Sequence, residues 1–162
     1  NNPVVSFECN RLNSVVGPVP DGDHTVPLGV AEVKRSGSDV TVVGLAYYVQ
    51  EALAVADELA AQGISVEVID PRTLVPLDVE TIRVSVRKTG RLVIVDEAPP
   101  TCSAASEIAA IVVEDAATFR ALKAPVQRVC AASVPVPFSP TLEKAALPDR
   151  AGIMAAIRRV LA

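Results

Sequence analysis

The residues able to do chemistry in this chain are few, and most stand where an apolar run stops. Ile64-Ser65-Val66-Glu67-Val68-Ile69 alternates like a β-strand and ends in Asp70-Pro71-Arg72. An acid and a guanidinium at a strand end could form a functional pair. They could equally form an ion pair that pins the loop, which is the simpler reading because loop-ordering pairs also gather there. Leu92 to Val95 ends in Asp96-Glu97. Neighbours on a strand point to opposite faces, so these two carboxylates are no catalytic dyad, and a contact with another subunit suits Glu97. Tyr47-Tyr48 follow a third run, Val40 to Leu45. A tyrosine there can anchor an interface or merely begin a helix at the sheet edge. Cys102 precedes a helix, where a thiolate could be stabilised, but without a neighbouring histidine it reads as an ordinary small residue. The single histidine, His24, sits in a Pro- and Gly-rich stretch and reads as solvated or packing. No G-x-x-x-x-G-K-[ST], no helix-opening G-x-G-x-x-G and no G-x-S-x-G occurs.

The elements that position these residues alternate. Strands are expected at Val40–Leu45, Val66–Ile69, Leu92–Val95 and Val126–Cys130. Between them Val49, Leu53, Ala56 and Ala60 fall at helical spacing and Gly63 stops the helix. Val79, Ile82 and Val86 make a second helical face, capped by Asp78, with Glu80 in its first turn and Gly90 at its end. Ile108, Val112 and Phe119 mark a third helix. Asp149 caps a last one with Ile153, Ile157 and Val160 inward, and Arg158 and Arg159 suit its final turn. Alternating strands and helices predict a three-layer α/β/α domain around a mainly parallel five-stranded sheet. Residues 1–37 hold one possible strand, Val4–Glu8, then Pro18, Pro20 and Pro27 among Gly and Asp, and read as a linker-like arm; residues 38–162 form the body.

Composition sets limits. The 162 residues suffice for one domain with a sizeable core. Half are hydrophobic and mean hydropathy is positive, yet no apolar run approaches the ~18 residues of a membrane span. Aromatics are scarce, so Val, Ile, Leu and Ala build the interior, as in buried parallel sheets. So apolar a chain is expected to leave apolar surface uncovered and to self-associate. A net charge of -4 without a basic stripe argues against nucleic acid. Three scattered cysteines without C-x-x-C suggest a reducing compartment rather than a disulfide framework. An opening on Asn1-Asn2-Pro3, with no Met or signal, reads as a piece of something longer.

VEVIDPRTLVPLD from Val66 to Asp78 resembles the signature of the transketolase C-terminal domain, in the version of the beta subunit of 2-oxo acid dehydrogenases. Six further segments agree in order: VPLGVAEVKRSGSDVTVV from Val26, EALAVADELAAQGISVEVID from Glu51, KTGRLVIVDEAP from Lys88, SEIAA from Ser106, APVQRV from Ala124 and PVPFSPTLEKAALPD from Pro135. The resemblance implies a sheet with one antiparallel edge strand. It implies a whole enzyme that uses thiamine diphosphate and magnesium to decarboxylate a 2-oxo acid and reductively acylate a lipoyl group. DEAP, Thr101 and SEIAA lean toward its branched-chain members, with pyruvate as the other substrate considered. An acetoin dehydrogenase, a deoxyxylulose-phosphate synthase and a stand-alone binding module are alternatives; PVPFSPTLEKAALPD fits the beta-subunit ending better than the synthase.

In that family this domain holds beta subunits together, beside an alpha subunit, and docks the lipoyl-transferase core. The activating glutamate belongs to the preceding domain, and Gly22-Asp23-His24 matches only the start of the magnesium motif, without its asparagines. The stretch itself is therefore expected to bind no cofactor or metal and to hold no catalytic residue. Its expected setting is the cytoplasm, or the mitochondrial matrix in a eukaryote. The carboxyl-end residues Tyr47, Asp70, Arg72 and Glu97 are candidates for a subunit-interface rim. The residue before Ala-Pro-Val is commonly acidic in the family and, with the C-terminal carboxylate, receives basic groups of the core. Here those positions are Lys123 and Ala162, so Lys123 is either an altered docking residue or a solvated loop residue. Two departures touch the rim. The family usually carries a histidine before Glu-Ala-Leu, where Gln50 stands, and a glycine-rich turn where Cys102-Ser103-Ala104 stands.

Overall fold

The computed structural model describes residues 3–5 and 8–162. Five strands, β1 (Glu32–Arg35), β2 (Val40–Gly44), β3 (Val66–Asp70), β4 (Leu92–Asp96) and β5 (Gln127–Cys130), form one sheet in the order β1-β3-β2-β4-β5. β2 to β5 run parallel, with Val42 opposite both Val68 and Val93, and β1 closes one edge antiparallel to β3. Six helices follow: α1 (Tyr48–Ala60), α2 (Val79–Thr89), α3 (Ala104–Glu114), α4 (Ala116–Ala121), α5 (Pro140–Ala146) and α6 (Arg150–Leu161). Alternation along each strand divides the core in two. Val40, Val42, Val68 and Val95 face α1 and α6; Val43, Ile69 and Ile94 face α2 and α3. This is the three-layer sheet sandwich that the alternating pattern predicts.

Local signals set the boundaries. Asp78 accepts from the Thr81 N–H at 3.1 Å to start α2, and Gly90, at φ +74°, ends it with its N–H on the Val86 carbonyl. Asp149 accepts from the Gly152 N–H at 2.7 Å and starts α6, whose Ile153, Ile157 and Val160 are buried.

Five elements differ from the sequence reading. β1 lies inside the stretch read as linker; Glu32, Lys34 and Arg35 are charged, so the strand lacks the apolar alternation that would announce it. The strand expected at Val4–Glu8 falls partly on Ser6 and Phe7, which lie outside the described residues, and Val4, Val5 and Glu8 belong to no strand. The third helix is two. Asp115 interrupts it, accepting from the Thr118 N–H at 2.8 Å as the cap of α4, and the turn leaves Phe119 exposed. α1 buries Val49, Ala52, Val55, Ala56 and Leu59, so its inward face is rotated from the one read through Leu53 and Ala60. α5, absent from that reading, begins at Pro140, where the missing N–H costs nothing.

One polar cluster sits inside. Glu67 points to the α2 face and is only 2% exposed. Its carboxylate pairs with the Lys88 ammonium and accepts from the Ser85 hydroxyl and, at 3.2 Å, from the Gly37 N–H. Thr41 continues the network to Ser85 at 2.7 Å and to Thr89 at 2.8 Å. Every charge and hydroxyl is thereby satisfied, with only the Lys88 side chain open to water.

Candidate functional site at the carboxyl ends of the strands

Because β2 to β5 are parallel, their carboxyl ends share one rim, where Tyr47, Asp70, Arg72 and Glu97 all lie. Each of the first three loops after them holds a non-glycine residue at positive φ: Ala46 at +49°, Arg72 at +59° and Cys102 at +55°. Left-handed backbone costs an L residue roughly 1–2 kcal/mol, so the strain of this domain is gathered on this rim. Cys102 stands where the resembling family has its glycine-rich turn, and its φ is the physical reason a glycine belongs there.

Asp70 and Arg72 do not pair through their side chains. Asp70 accepts from the Arg72 backbone N–H at 2.9 Å, while the guanidinium pairs with Glu32. The cause is β1: its antiparallel register sets Glu32 opposite Asp70 and within reach of the arginine. Asp96 turns inward and accepts from the Ala98 and Ala105 N–H groups at 3.0 and 3.2 Å, organising the turn into α3. Glu97 turns to solvent, as strand alternation requires. His24 is exposed, and Cys9, Cys102 and Cys130 are free thiols.

Four residues meet around Tyr47, two of them from distant parts of the chain. Its hydroxyl donates to Glu51 at 2.7 Å, and Arg150 at the start of α6 donates to the same carboxylate at 2.8 Å. Arg11, from a 3-10 turn in the arm (Asn10–Ser14), lies over the Tyr47 ring at 4.8 Å, and Tyr48 meets that ring edge-on at 5.7 Å. Tyr48 is fully buried, and its hydroxyl finds no hydrogen-bond partner among the described residues. A cleft of about 690 Å³ opens here, lined by Arg11, Tyr47, Glu51, Lys144 and Arg150 among others. The Arg150 hydrogen bonds outweigh partial burial and hold the Glu51 carboxyl below its ordinary value.

Both phenols are pushed up: Tyr47 chiefly by its hydrogen bond to Glu51, Tyr48 chiefly by burial. The folded state thus keeps protons that the unfolded chain releases near pH 10.0. The stability they lend is complete below that pH and is lost as pH rises through the folded-state values. Tyrosinate absorbance during an alkaline titration should therefore rise above pH 10.0 in the folded protein and near it in denaturant. Coincident curves would contradict this environment.

Lys123 and Ala162 lie at the opposite end of the sheet. The Lys123 N–H donates to Gly90 at 2.8 Å and its ammonium sits 3.5 Å from the Thr89 carbonyl, at the negative end of α2. Arg91, beside them, donates to the Val160 carbonyl near the end of α6, and Ala162 is exposed.

The described residues do not fit a magnesium diphosphate. No three His, Cys, Asp or Glu side chains converge among them. Three of the rim acids are engaged, Glu51 by Arg150 and Tyr47, Asp70 and Asp96 by backbone N–H groups, and Glu97 faces solvent.

The profile described as "Transketolase, C-terminal domain" matches residues 29–153. The chain belongs to the transketolase C-terminal domain family. Within it, the chain is 46% identical over 161 residues to the acetoin:2,6-dichlorophenolindophenol oxidoreductase subunit beta of Cupriavidus necator, covering 99% of this chain and 47% of that protein. It is 40% identical over 164 residues to the mitochondrial pyruvate dehydrogenase E1 component subunit beta of Dictyostelium discoideum, covering 99% and 46%. The solved "split gene transketolase, inactive beta4 tetramer" superposes with a TM-score of 0.74 at 29% identity, over 90% of this chain and 46% of that one. This transketolase C-terminal domain spans about half the length of these relatives.

Sequence reasoning placed the rim residues at the right strand ends but missed Arg11, Glu51 and Arg150, the residues that surround Tyr47. Glu51 could have been found: it lies four residues after Tyr47 at the start of a helix, one turn away on the same face. Arg11 and Arg150 carry no local signal, since only the tertiary fold brings them there.

Proposed function

We propose that this domain is the C-terminal half of the beta subunit of a thiamine-diphosphate-dependent dehydrogenase, and that its work is assembly. One observation carries the reading: the identity to beta subunits runs from end to end of the chain. The relatives named above are acetoin and pyruvate enzymes, so the proposal is placed there rather than with the branched-chain members. The 46% against 40% identity favours acetoin. On this reading the domain holds a second beta subunit and an alpha subunit and docks a lipoyl-transferase core. Thiamine diphosphate and magnesium would be held by the rest of the enzyme, in the cytoplasm or the mitochondrial matrix. Among the described residues no helix is long and apolar enough to cross a membrane.

Exposed apolar side chains support the assembly role. Val75, Val136 and Phe138, in the loops before α2 and α5, are 92%, 80% and 103% exposed. Sedimentation from micromolar to millimolar concentration should show self-association, and a strict monomer throughout would overturn it. Core docking is assigned to the amino-end surface with Lys123 and Ala162. If Lys123 faces a basic partner there, Lys123→Glu should bind a basic peripheral domain at least ~10-fold more tightly, equivalent to ~1.4 kcal/mol. Equal affinities by surface plasmon resonance would leave Lys123 as a cation serving the end of α2.

A further inference from the structure

The strand order places one special crevice in this sheet. β2 and β4 are adjacent, yet the chain leaves β2 for α1 on one face and leaves β4 for α3 on the other. Connections that diverge in this way open a gap at the carboxyl ends of the two strands, and open α/β sheets ordinarily offer that gap to a ligand. Tyr47 and Tyr48 follow β2, and Glu97 follows β4. On the β2 side of that gap lies the arm: Arg11 sits over the Tyr47 ring, close enough for its charge to act on Tyr48 and Glu51 as well, and shares a cleft with Glu51 and Arg150 at the starts of α1 and α6.

We propose that Arg11 is a latch that seats the arm in the crevice at the end of β2, between the starts of α1 and α6, so that the resident of the crevice is a segment of the chain itself. Three features support a segment rather than a free anion. The cleft lining includes Glu51, Glu143 and Asp149 beside its cations, which disfavours an anionic ligand. Glu51 is already bonded to Arg150 and Tyr47, and Asp149 is committed to capping α6. A planar guanidinium over a tyrosine face suits Arg11 better than a compact ammonium would. The latch ties the stretch before β1 to the start of α1, and so fixes the direction in which the arm leaves the body.

Composition supplies the probe. Tyr47 and Tyr48 are the only tyrosines and the chain has no tryptophan, so intrinsic fluorescence reports this crevice alone. The experiment compares the 162-residue chain with Arg11→Ala and Arg11→Lys. Two signals are read: tyrosine fluorescence with its quenching by acrylamide, and the rate of arm cleavage after Glu8 by a glutamate-specific protease. Arg11→Ala should raise tyrosine quenching and speed cleavage about 2- to 5-fold, the factor matching a ~0.5–1 kcal/mol cation–π contact. Arg11→Lys should recover part of both. Unchanged fluorescence and cleavage would overturn the latch. Faster cleavage with unchanged fluorescence would overturn it too, because the arm would then be held somewhere other than the crevice.

Discussion

Replacing Lys88 by methionine should cost the domain about 3 kcal/mol of unfolding free energy. The lysine is the counter-charge of Glu67, which is 2% exposed on the α2 face of the sheet. Methionine keeps much of the side chain's volume and removes the ammonium, leaving a buried carboxylate with the Ser85 hydroxyl and the Gly37 N–H as its remaining donors. Removing one partner of a buried pair costs roughly 3–5 kcal/mol; the Lys88 side chain is 45% exposed, so water can approach and the low end applies. The double variant Glu67→Leu/Lys88→Met removes both charges and should lie within about 1 kcal/mol of the parent. Urea denaturation of the two single variants and the double closes the cycle. A Lys88→Met loss below about 1 kcal/mol would mean that the pair is effectively solvated.

Gly37→Ala should be comparably damaging, by about 3 kcal/mol, for a reason of shape alone. A Cβ at Gly37 would come closer than 3.0 Å to the Val66 carbonyl group and the Glu67 nitrogen. All are backbone atoms of β3, so no rotamer change relieves the clash, and the turn into β2 would have to move. Two other glycines calibrate the claim. A Cβ at Gly17 meets nothing within 4 Å, so Gly17→Ala should be nearly silent. Gly63 is equally open but sits at φ +78°, so Gly63→Ala should cost about 1 kcal/mol from backbone strain. Thermal melts should rank the three Gly37, Gly63, Gly17 from worst to mildest. Gly63→Ala melting below Gly37→Ala would show that the β3 backbone yields easily. Gly37 also donates to Glu67, so its effect and that of Lys88 will not simply add.

The parallel strands were legible because burial on both faces leaves apolar runs, as in Val40 to Val43 and Leu92 to Val95. The ends of α2 and α6 were legible because Asp78, Gly90 and Asp149 act on their immediate neighbours. β1 was not, since an edge strand with one neighbour can be as charged as Glu32-Val33-Lys34-Arg35. The break at Asp115 could have been found: an aspartate three residues before Thr118 is a helix-start pattern, hidden by the apolar residues on either side. At the rim, strand ends foretold where Tyr47, Asp70, Arg72 and Glu97 would lie but not what each would touch. Arg72 reaches Glu32 across 40 positions and Arg150 reaches Glu51 across 99, distances over which a single sequence carries no pairing signal.

β1 has a further effect on how this domain can be divided. It covers the backbone of Val68 to Asp70 in β3, the strand at one end of the parallel set. A shortened version beginning at residue 38 would leave that strand's row of N–H and C=O groups open to the first extended chain that meets it. Such a piece would clump through its sheet edge, and in a sedimentation cell this would be mistaken for native assembly. Four unassuming residues, three of them charged, are what keep the edge from recruiting strangers.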